Sequence, residues 1–187
     1  MFRRLVTCVL RTFYAAFHPL KITGGENIPN EGAYILALNH TSFRDAAVAL
    51  ILSGENSIFM AKKELFKLKI PAKFISALGA FPVDRQANDL SALRLSIAGL
   101  KEGKPLVIFP EGHRYDDTDT IHEIKQGAAL IAMRAGVPII PARIRTKYRP
   151  FERVNISVGA PFTVPRAAGA GALEAATERL KTEMERI

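Results

Sequence analysis

Two short, unbroken apolar runs, Ala33-Tyr34-Ile35-Leu36-Ala37-Leu38 and Leu106-Val107-Ile108-Phe109, constrain the fold of this chain more than any other feature. Both have strand length, and neither shows the apolar–polar alternation of a sheet with one wet face, so each reads as a strand covered on both sides. Such strands need helices above and below them. The segment from Asp89 to Leu100 supplies one, with Leu90, Leu93, Ile97 and Leu100 at helical spacing and Gly103 as a stop just beyond. Helices are also expected over 43–52, in the mixed stretch up to Leu78, around 125–135 and over 173–187. Further strands are expected at 20–22, 57–61, 79–85, 137–144 and 154–158. Pro82 confines the 79–85 strand to an edge or an irregular position, and Pro71 marks a helix boundary. Strands alternating with helices imply βαβ units, and hence a layered α/β fold with a mostly parallel sheet flanked by helices.

In sheets of that kind ligands gather beyond the carboxyl ends of the strands. The two runs end there in Asn39-His40-Thr41-Ser42-Phe43-Arg44-Asp45 and Pro110-Glu111-Gly112-His113-Arg114. Histidine titrates near neutrality, so His40 can take a proton from a hydroxyl as that oxygen attacks a carbonyl. Asp45 can hold one ring nitrogen in the right tautomer and stabilise the imidazolium, provided that His40 precedes a helix whose first turn carries Asp45. Ser42 as N-cap supports that arrangement, yet Ser42-x-x-Asp45 is equally a capping box in which Asp45 only satisfies a backbone donor. Spacing alone leaves both readings open.

No Gly-x-Ser-x-Gly occurs and Cys8 is remote, so a His-Asp pair without an enzyme nucleophile suits direct attack by a substrate hydroxyl. Arg85, Arg114 and Lys62 could each bind a phosphate or the charge of an acidic substrate; a solvated surface charge is the other reading of each. His40, Asp45, Glu111 and His113 are residue types that bind metals, but neither His-Glu-x-x-His nor paired Cys-x-x-Cys is present, and no metal is expected. His122-Glu123 reads as the polar start of a helix.

With 187 residues, 48% of them hydrophobic, the chain suits one compact domain, placed at 19–187 and preceded by a helix at 1–18. In that helix Phe2, Leu5, Val6, Val9, Leu10, Phe13 and Phe17 follow one helical face, Arg3, Arg4 and Arg11 sit among them, and His18-Pro19 ends it. A terminal, aromatic and basic helix can lie in a membrane interface, its arginines on anionic head groups and its rings in the acyl boundary. The other reading packs it on the domain's own core. The net charge of +8 favours an anionic partner, while the absence of finger spacing, of an RNP-like aromatic block and of tryptophan argues against nucleic acid. The single Cys8 cannot form an internal disulfide and fits a reducing setting. The run Leu5–Leu10 is shorter than the ~7–15 residue core of a secretion signal, and no run approaches the ~18 apolar residues of a spanning helix.

The ordered blocks resemble the glycerolipid acyltransferases, the 1-acyl-sn-glycerol-3-phosphate acyltransferase (PlsC-like) family. Its Asn-His-x4-Asp block is matched at Asn39, His40 and Asp45, its Gly-x-x-aromatic-x-Asp-Arg block is similar to Gly79 through Arg85, its Phe-Pro-Glu-Gly-Thr-Arg block is similar to Phe109 through Arg114, and a fourth block resembles Val137-Pro138-Ile139-Ile140-Pro141. Four blocks in order are far more specific than any one. The resemblance implies transfer of a fatty acyl group from acyl-CoA or acyl carrier protein to the sn-2 hydroxyl of 1-acylglycerol 3-phosphate, giving phosphatidic acid. His40 and Asp45 would be catalytic. Lys62, Arg85, Glu111, Gly112 and Arg114 would bind the acceptor, and the fourth block would shape the acyl or donor site. No metal or other cofactor is implied, the thioester being a co-substrate, and the expected partners are a lysophospholipid, the acyl donor and an anionic membrane surface at the cytoplasmic face of the cell membrane. Two departures, His113 for threonine and Pro82 for an aromatic residue, leave another lysolipid, such as an amino-acid-containing one, as an alternative acceptor. From a different class, the rival reading is a non-catalytic module that binds anionic lipid.

Overall fold

In the computed structural model, which describes residues 1–84, 89–165 and 170–187, seven strands form one sheet. They are β1 (Leu20–Thr23), β2 (Ile35–Leu38), β3 (Ile58–Lys62), β4 (Ala80–Val83), β5 (Leu106–Ile108), β6 (Ile139–Arg145) and β7 (Val154–Val158), in the order β1-β7-β6-β2-β5-β3-β4. Every neighbouring pair is parallel except β6 with β7. The carboxyl ends of β2, β3, β4, β5 and β6 therefore share one edge of the sheet.

The first apolar run becomes the central strand. Ile35 pairs with both Leu106 and Ile139, and Ala37 with both Ile108 and Pro141. Its side chains alternate between two cores, which is why the run carries no polar residue. Leu36 and Leu38 join Val48, Ala49 and Ile51 of α2 (Asp45–Ser53), and Tyr14 of α1 (Phe2–Phe17), on one face. Ile35 and Ala37 join Leu100 of α4 (Leu90–Lys101), Ile131 of α5 (Gly127–Ala135) and Leu180 of α6 (Ala170–Arg186) on the other. Each large aliphatic side chain buried this way contributes roughly 1.5–3 kcal/mol. The layered, mostly parallel α/β architecture expected from the runs is the one observed, and Pro82 does lie in β4, an edge strand. Arg143 of β6 anchors α6 by donating to the carbonyls of Met184 and Glu185 at 3.4 and 3.2 Å, two of the orphan acceptors at a helix end.

Three boundaries differ from expectation for identifiable reasons. Pro71 does not bound a helix: it lies inside the first turn of α3 (Lys69–Ala77), where its missing N–H has no partner to lose. Helix α5 starts at Gly127, so His122-Glu123 precedes it in a loop, with the His122 ring stacked on Tyr115 at 3.6 Å. Helix α2 starts at Asp45 rather than Phe43, because the side chain of Asp45 draws the preceding main chain into a turn.

Helix α1 docks through its polar side. Thr7 and Tyr14 are buried, Arg3 donates to the Ser57 carbonyl, and Arg11 reaches the Ile51 carbonyl in the last turn of α2 at a long 3.5 Å. Phe2, Leu5, Val9, Phe13 and Phe17 are exposed, the reverse of a surface helix that buries its apolar stripe. The expectation that the arginines meet head groups is thus corrected for Arg3, whose guanidinium answers a backbone carbonyl of the domain, while Arg11 stays exposed. Phe2 meets Phe74 of α3 edge-on at 5.9 Å, and Leu68, Ile70 and Phe74 on that side are exposed as well. Among the described residues no helix is long and apolar enough to cross a membrane.

Asp89 starts α4 by accepting the N–H groups of Ser91 and Ala92 at 3.0 Å each, while its other oxygen takes the N–H of Asp84 at 2.9 Å. The Asp84 N–H first, then the Ser91 hydroxyl and the N–H groups of Ala92 and Ser91, lower its carboxyl from 3.8 to about 2. A depressed carboxyl contributes stability that is present above the unfolded value and lost as the pH falls through the folded one. Asp89→Ala should cost about 1 kcal/mol in urea unfolding at neutral pH. It should also flatten the part of the stability decline that the parent protein shows between pH 3.8 and about 2.

Candidate active site

The site begins where β2 leaves the sheet. Asn39 is fully buried; its Oδ1 accepts the Ile144 N–H at 2.7 Å and its Nδ2 donates to the Ile144 carbonyl at 3.0 Å, so a side-chain amide replaces one rung of the β2–β6 ladder. The main chain is then free to turn over the sheet edge, carrying His40. That residue is held from several directions. Its N–H donates to Glu111 Oε2 at 2.8 Å, its carbonyl accepts from the Tyr115 N–H at 3.0 Å, and its ring stacks on Phe109 with centroids 4.1 Å apart and planes at 19°.

Asp45 fixes the ring's orientation. The His40 Nδ1 lies 3.2 Å from Asp45 Oδ2, which also accepts the N–H groups of Thr41 and Ser42 at 2.7 Å each. Asp45 Oδ1 accepts the Tyr148 hydroxyl at 2.7 Å. A carboxylate at 0% exposure would be costly unpaired, and four donors compensate it. With Oδ2 an acceptor, the network assigns the imidazole proton to Nδ1 and leaves Nε2 bare, with no hydrogen bond among the described residues. The contacts that the two readings call for are both present at Asp45. Its bond to the Ser42 N–H is one half of a capping box, but the Ser42 hydroxyl accepts from Arg44, and Arg44 rather than Ser42 is the N-cap.

The second block closes over the first. Glu111 is 3% exposed, and its oxygens accept the N–H groups of His40 and, at 3.2 Å, of His122. Burial pushes its carboxyl up, and the two backbone donors oppose that. Gly112 has a φ of +72°, a conformation that residues with a Cβ rarely adopt, so the turn after β5 favours glycine. Arg114 is exposed, with its guanidinium 3.4 Å from the centroid of the Phe43 ring. At the neighbouring strand ends Lys62 is exposed with Glu64 at 3.9 Å, and Lys63 pairs with Asp84. Arg85 lies outside the described residues. The structure thus brings His40, Asp45, Glu111, Gly112 and Arg114 to one place, with Lys62 on the same sheet edge, and turns the Glu111 carboxylate toward main chain.

Tyr148 is absent from any motif reading, since it follows β6 by several residues and no spacing links it to Asp45. A cavity of about 550 Å³ reaches Phe109, the ring on which His40 stacks, and its apolar wall is formed by Met60, Leu93, Ile108, Leu130 and Ile131. Phe109, the ring under His40, belongs to the same wall, and Asp84, Asp89 and Lys125 add polar lining. The arrangement offers a histidine base with an oriented free nitrogen, an apolar chamber beside it and cationic side chains near the sheet edge. Those are the parts needed to activate a hydroxyl on an amphiphilic, anionic substrate.

A family model described as Acyltransferase matches residues 19–145. The chain is 34% identical over 175 residues to the 1-acyl-sn-glycerol-3-phosphate acyltransferase of Streptococcus pneumoniae, covering 87% of this chain and 63% of that protein. It is 34% identical over 124 residues to the enzyme of the same name from Bacillus subtilis, covering 66% and 61%. The chain therefore spans about three fifths of these curated relatives. The crystal structure of the 1-acyl-sn-glycerophosphate (LPA) acyltransferase PlsC from Thermotoga maritima superposes with a TM-score of 0.79 at 25% identity, covering 98% of this chain and 77% of that one. Since the matched span runs from the end of α1 to the last residue of β6 and holds both blocks that meet at His40, the chain belongs to the acyltransferase family.

Proposed function

We propose that this chain moves a fatty acyl group from a thioester, acyl-CoA or acyl carrier protein, to the sn-2 hydroxyl of 1-acylglycerol 3-phosphate, giving phosphatidic acid. The observation that carries the reading is the orientation of His40. With Nδ1 on Asp45 and the ring stacked on Phe109, Nε2 is the atom presented as a base. It takes the proton of the acceptor hydroxyl while that oxygen attacks the thioester carbonyl; the tetrahedral intermediate then expels the thiolate, and the imidazolium protonates the departing sulfur. One C–O bond forms and one C–S bond breaks, with no change in oxidation state. No side-chain nucleophile, metal or other cofactor enters the scheme.

The apolar cavity suits an acyl chain. Arg114, Lys62 and Arg85 are the cations for the acceptor phosphate, Arg114 resting over the Phe43 ring and offering the N–H fork of a guanidinium. Glu111, with its oxygens on the backbone of His40 and His122, acts by fixing the base rather than by touching the acceptor. The names of the relatives support this acceptor, and the exposed His113 in the third block is the reason to test others beside it. The outward Phe2, Leu5, Val9, Phe13 and Phe17, continued by Leu68, Ile70 and Phe74 near Lys67, Lys69 and Lys73, supports attachment to an anionic bilayer at the cytoplasmic face.

Offered a panel of lysolipids, phosphate-bearing and amino-acid-bearing, with both thioester donors and mass detection of product, the parent protein should acylate 1-acylglycerol 3-phosphate most rapidly. His40→Ala should lower kcat by on the order of 10²–10⁴ while leaving vesicle binding intact. Transfer by that variant at the parent rate would sink the mechanism. Glu111→Gln places an amide N–H₂ against a main-chain N–H and should cost about 1–3 kcal/mol of stability. Its kcat should fall with the acceptor KM unchanged, whereas a raised acceptor KM at constant kcat would return Glu111 to the binding site. Replacing Leu5, Val9 and Phe13 together by serine should release the protein from anionic vesicles in a flotation assay without changing its thermal unfolding.

A further inference from the structure

We propose that Tyr148 is a positioning residue for the His40–Asp45 pair, its hydroxyl fixing the plane of the Asp45 carboxylate. Asp45 Oδ2 carries three donors from its own loop, His40, Thr41 and Ser42, which locate that oxygen but leave the carboxylate free to rotate about it. Tyr148 supplies the donor to Oδ1, at 2.7 Å, from a residue 103 positions along the chain. The two oxygens together set the angle at which Oδ2 meets the imidazole. Tyr148 lies beyond residues 19–145, the span matched by the family model.

Tyr148 is itself held in place. Its φ of +51° falls in the left-handed region, which is unfavourable for a bulky residue and persists only where neighbours enforce it. Its N–H donates to the Thr146 hydroxyl at 3.0 Å, and its carbonyl accepts from Arg44 Nη1 at 3.0 Å. The same Arg44 nitrogen approaches His18 Nε2 at 3.4 Å, His18 Nδ1 faces the Glu152 carbonyl at 3.3 Å, and the Tyr14 hydroxyl donates to the Arg44 carbonyl at 3.2 Å. A continuous set of contacts therefore runs from the end of α1, through Arg44 and Tyr148, to Asp45. Burial and the adjacent Asp45 carboxylate push the Tyr148 phenol far above its ordinary range, so it serves Asp45 as a donor throughout the working pH range. The ionisable and charged groups facing this cluster are Tyr14 and His18 from α1, Arg44 and Asp45 from the head of α2, His40 from the end of β2 and, across His40, Glu111 from the end of β5. An aromatic ring kept only for packing would not need the hydroxyl.

The inference rests on the acyl-transfer reading for its kinetic test, and an NMR measurement stands apart from that reading. In Tyr148→Phe the packing ring remains and one of the four donors to the buried Asp45 is lost, so the midpoint of thermal unfolding should fall by roughly 3–12 °C while the protein stays folded at the assay temperature. Its kcat should fall about tenfold, with the KM values of both substrates unchanged. Without the phenol, more negative charge stays on Asp45 and holds the imidazolium more firmly, so the acid limb of the kcat profile should move to higher pH. In the proton spectrum of the full chain, the downfield resonance of the His40 Nδ1–H should shift or broaden. Arg44→Gln, which loosens the Tyr148 carbonyl, should move the resonance in the same way and serves if the phenylalanine variant does not fold. A parent-like kcat, acid limb and resonance in Tyr148→Phe would overturn the proposal, as would activity lost only in proportion to unfolded protein. A parent protein without acyl transfer, but with the resonance shifted in Tyr148→Phe, would refute the reaction and leave the positioning role standing.

Discussion

A carboxylate with no exposure to water is the constraint on which the site depends. Asp45 accepts from four donors there, and they come from two separate parts of the chain: the turn after β2, which carries His40, Thr41 and Ser42, and the segment after β6, which carries Tyr148. Burying that charge therefore pulls the ends of β2 and β6 and the start of α2 into one cluster. Moving any of them away would leave a charge without compensation, an error more costly than the loss of an ordinary hydrogen bond. The same network that stabilises the charge sets the tautomer of His40, so the local energetics and the proposed chemistry have one cause.

Around that centre the blocks serve one another before they serve a ligand. Glu111 takes the main-chain N–H of His40, Phe109 carries its ring, and Arg114 lies against Phe43 from the first block. These contacts are possible because β2 and β5 are parallel neighbours whose carboxyl ends emerge side by side. Phe109 lines the cavity as well as carrying the His40 ring, which places an apolar chamber one ring away from that imidazole. Helix α1 is part of this assembly too. It buries Tyr14 and reaches Arg44 through Tyr14 and His18, while its phenylalanines stay partly exposed. Its two sides thus have different tasks, one completing the site's outer support and the other presenting apolar surface.

The sequence by itself determined the architecture and the centre of the site. Unbroken apolar runs admit only strands with two dry faces, and such strands force helices onto both sides and functional residues to their carboxyl ends, so Ile35–Leu38, Leu106–Ile108, His40 and Glu111–Arg114 could be placed before any coordinates. Local spacing could not choose between a cap and a catalytic partner for Asp45, because both use the same carboxylate. The fold puts both sets of contacts on that carboxylate, the Thr41 and Ser42 N–H groups and the His40 ring nitrogen. It also sets the Glu111 oxygens on the backbone N–H groups of His40 and His122, contacts that the place of Glu111 in the sequence does not suggest. The direction of α1 followed from carbonyls at Ser57 and Ile51 that only the packed domain brings within reach of Arg3 and Arg11. Tyr148 was illegible for the plainest physical reason: a hydrogen bond between residues 103 positions apart leaves no periodicity in the chain, and only the parallel pairing of β2 with β6 carries the two groups to the same end of the sheet.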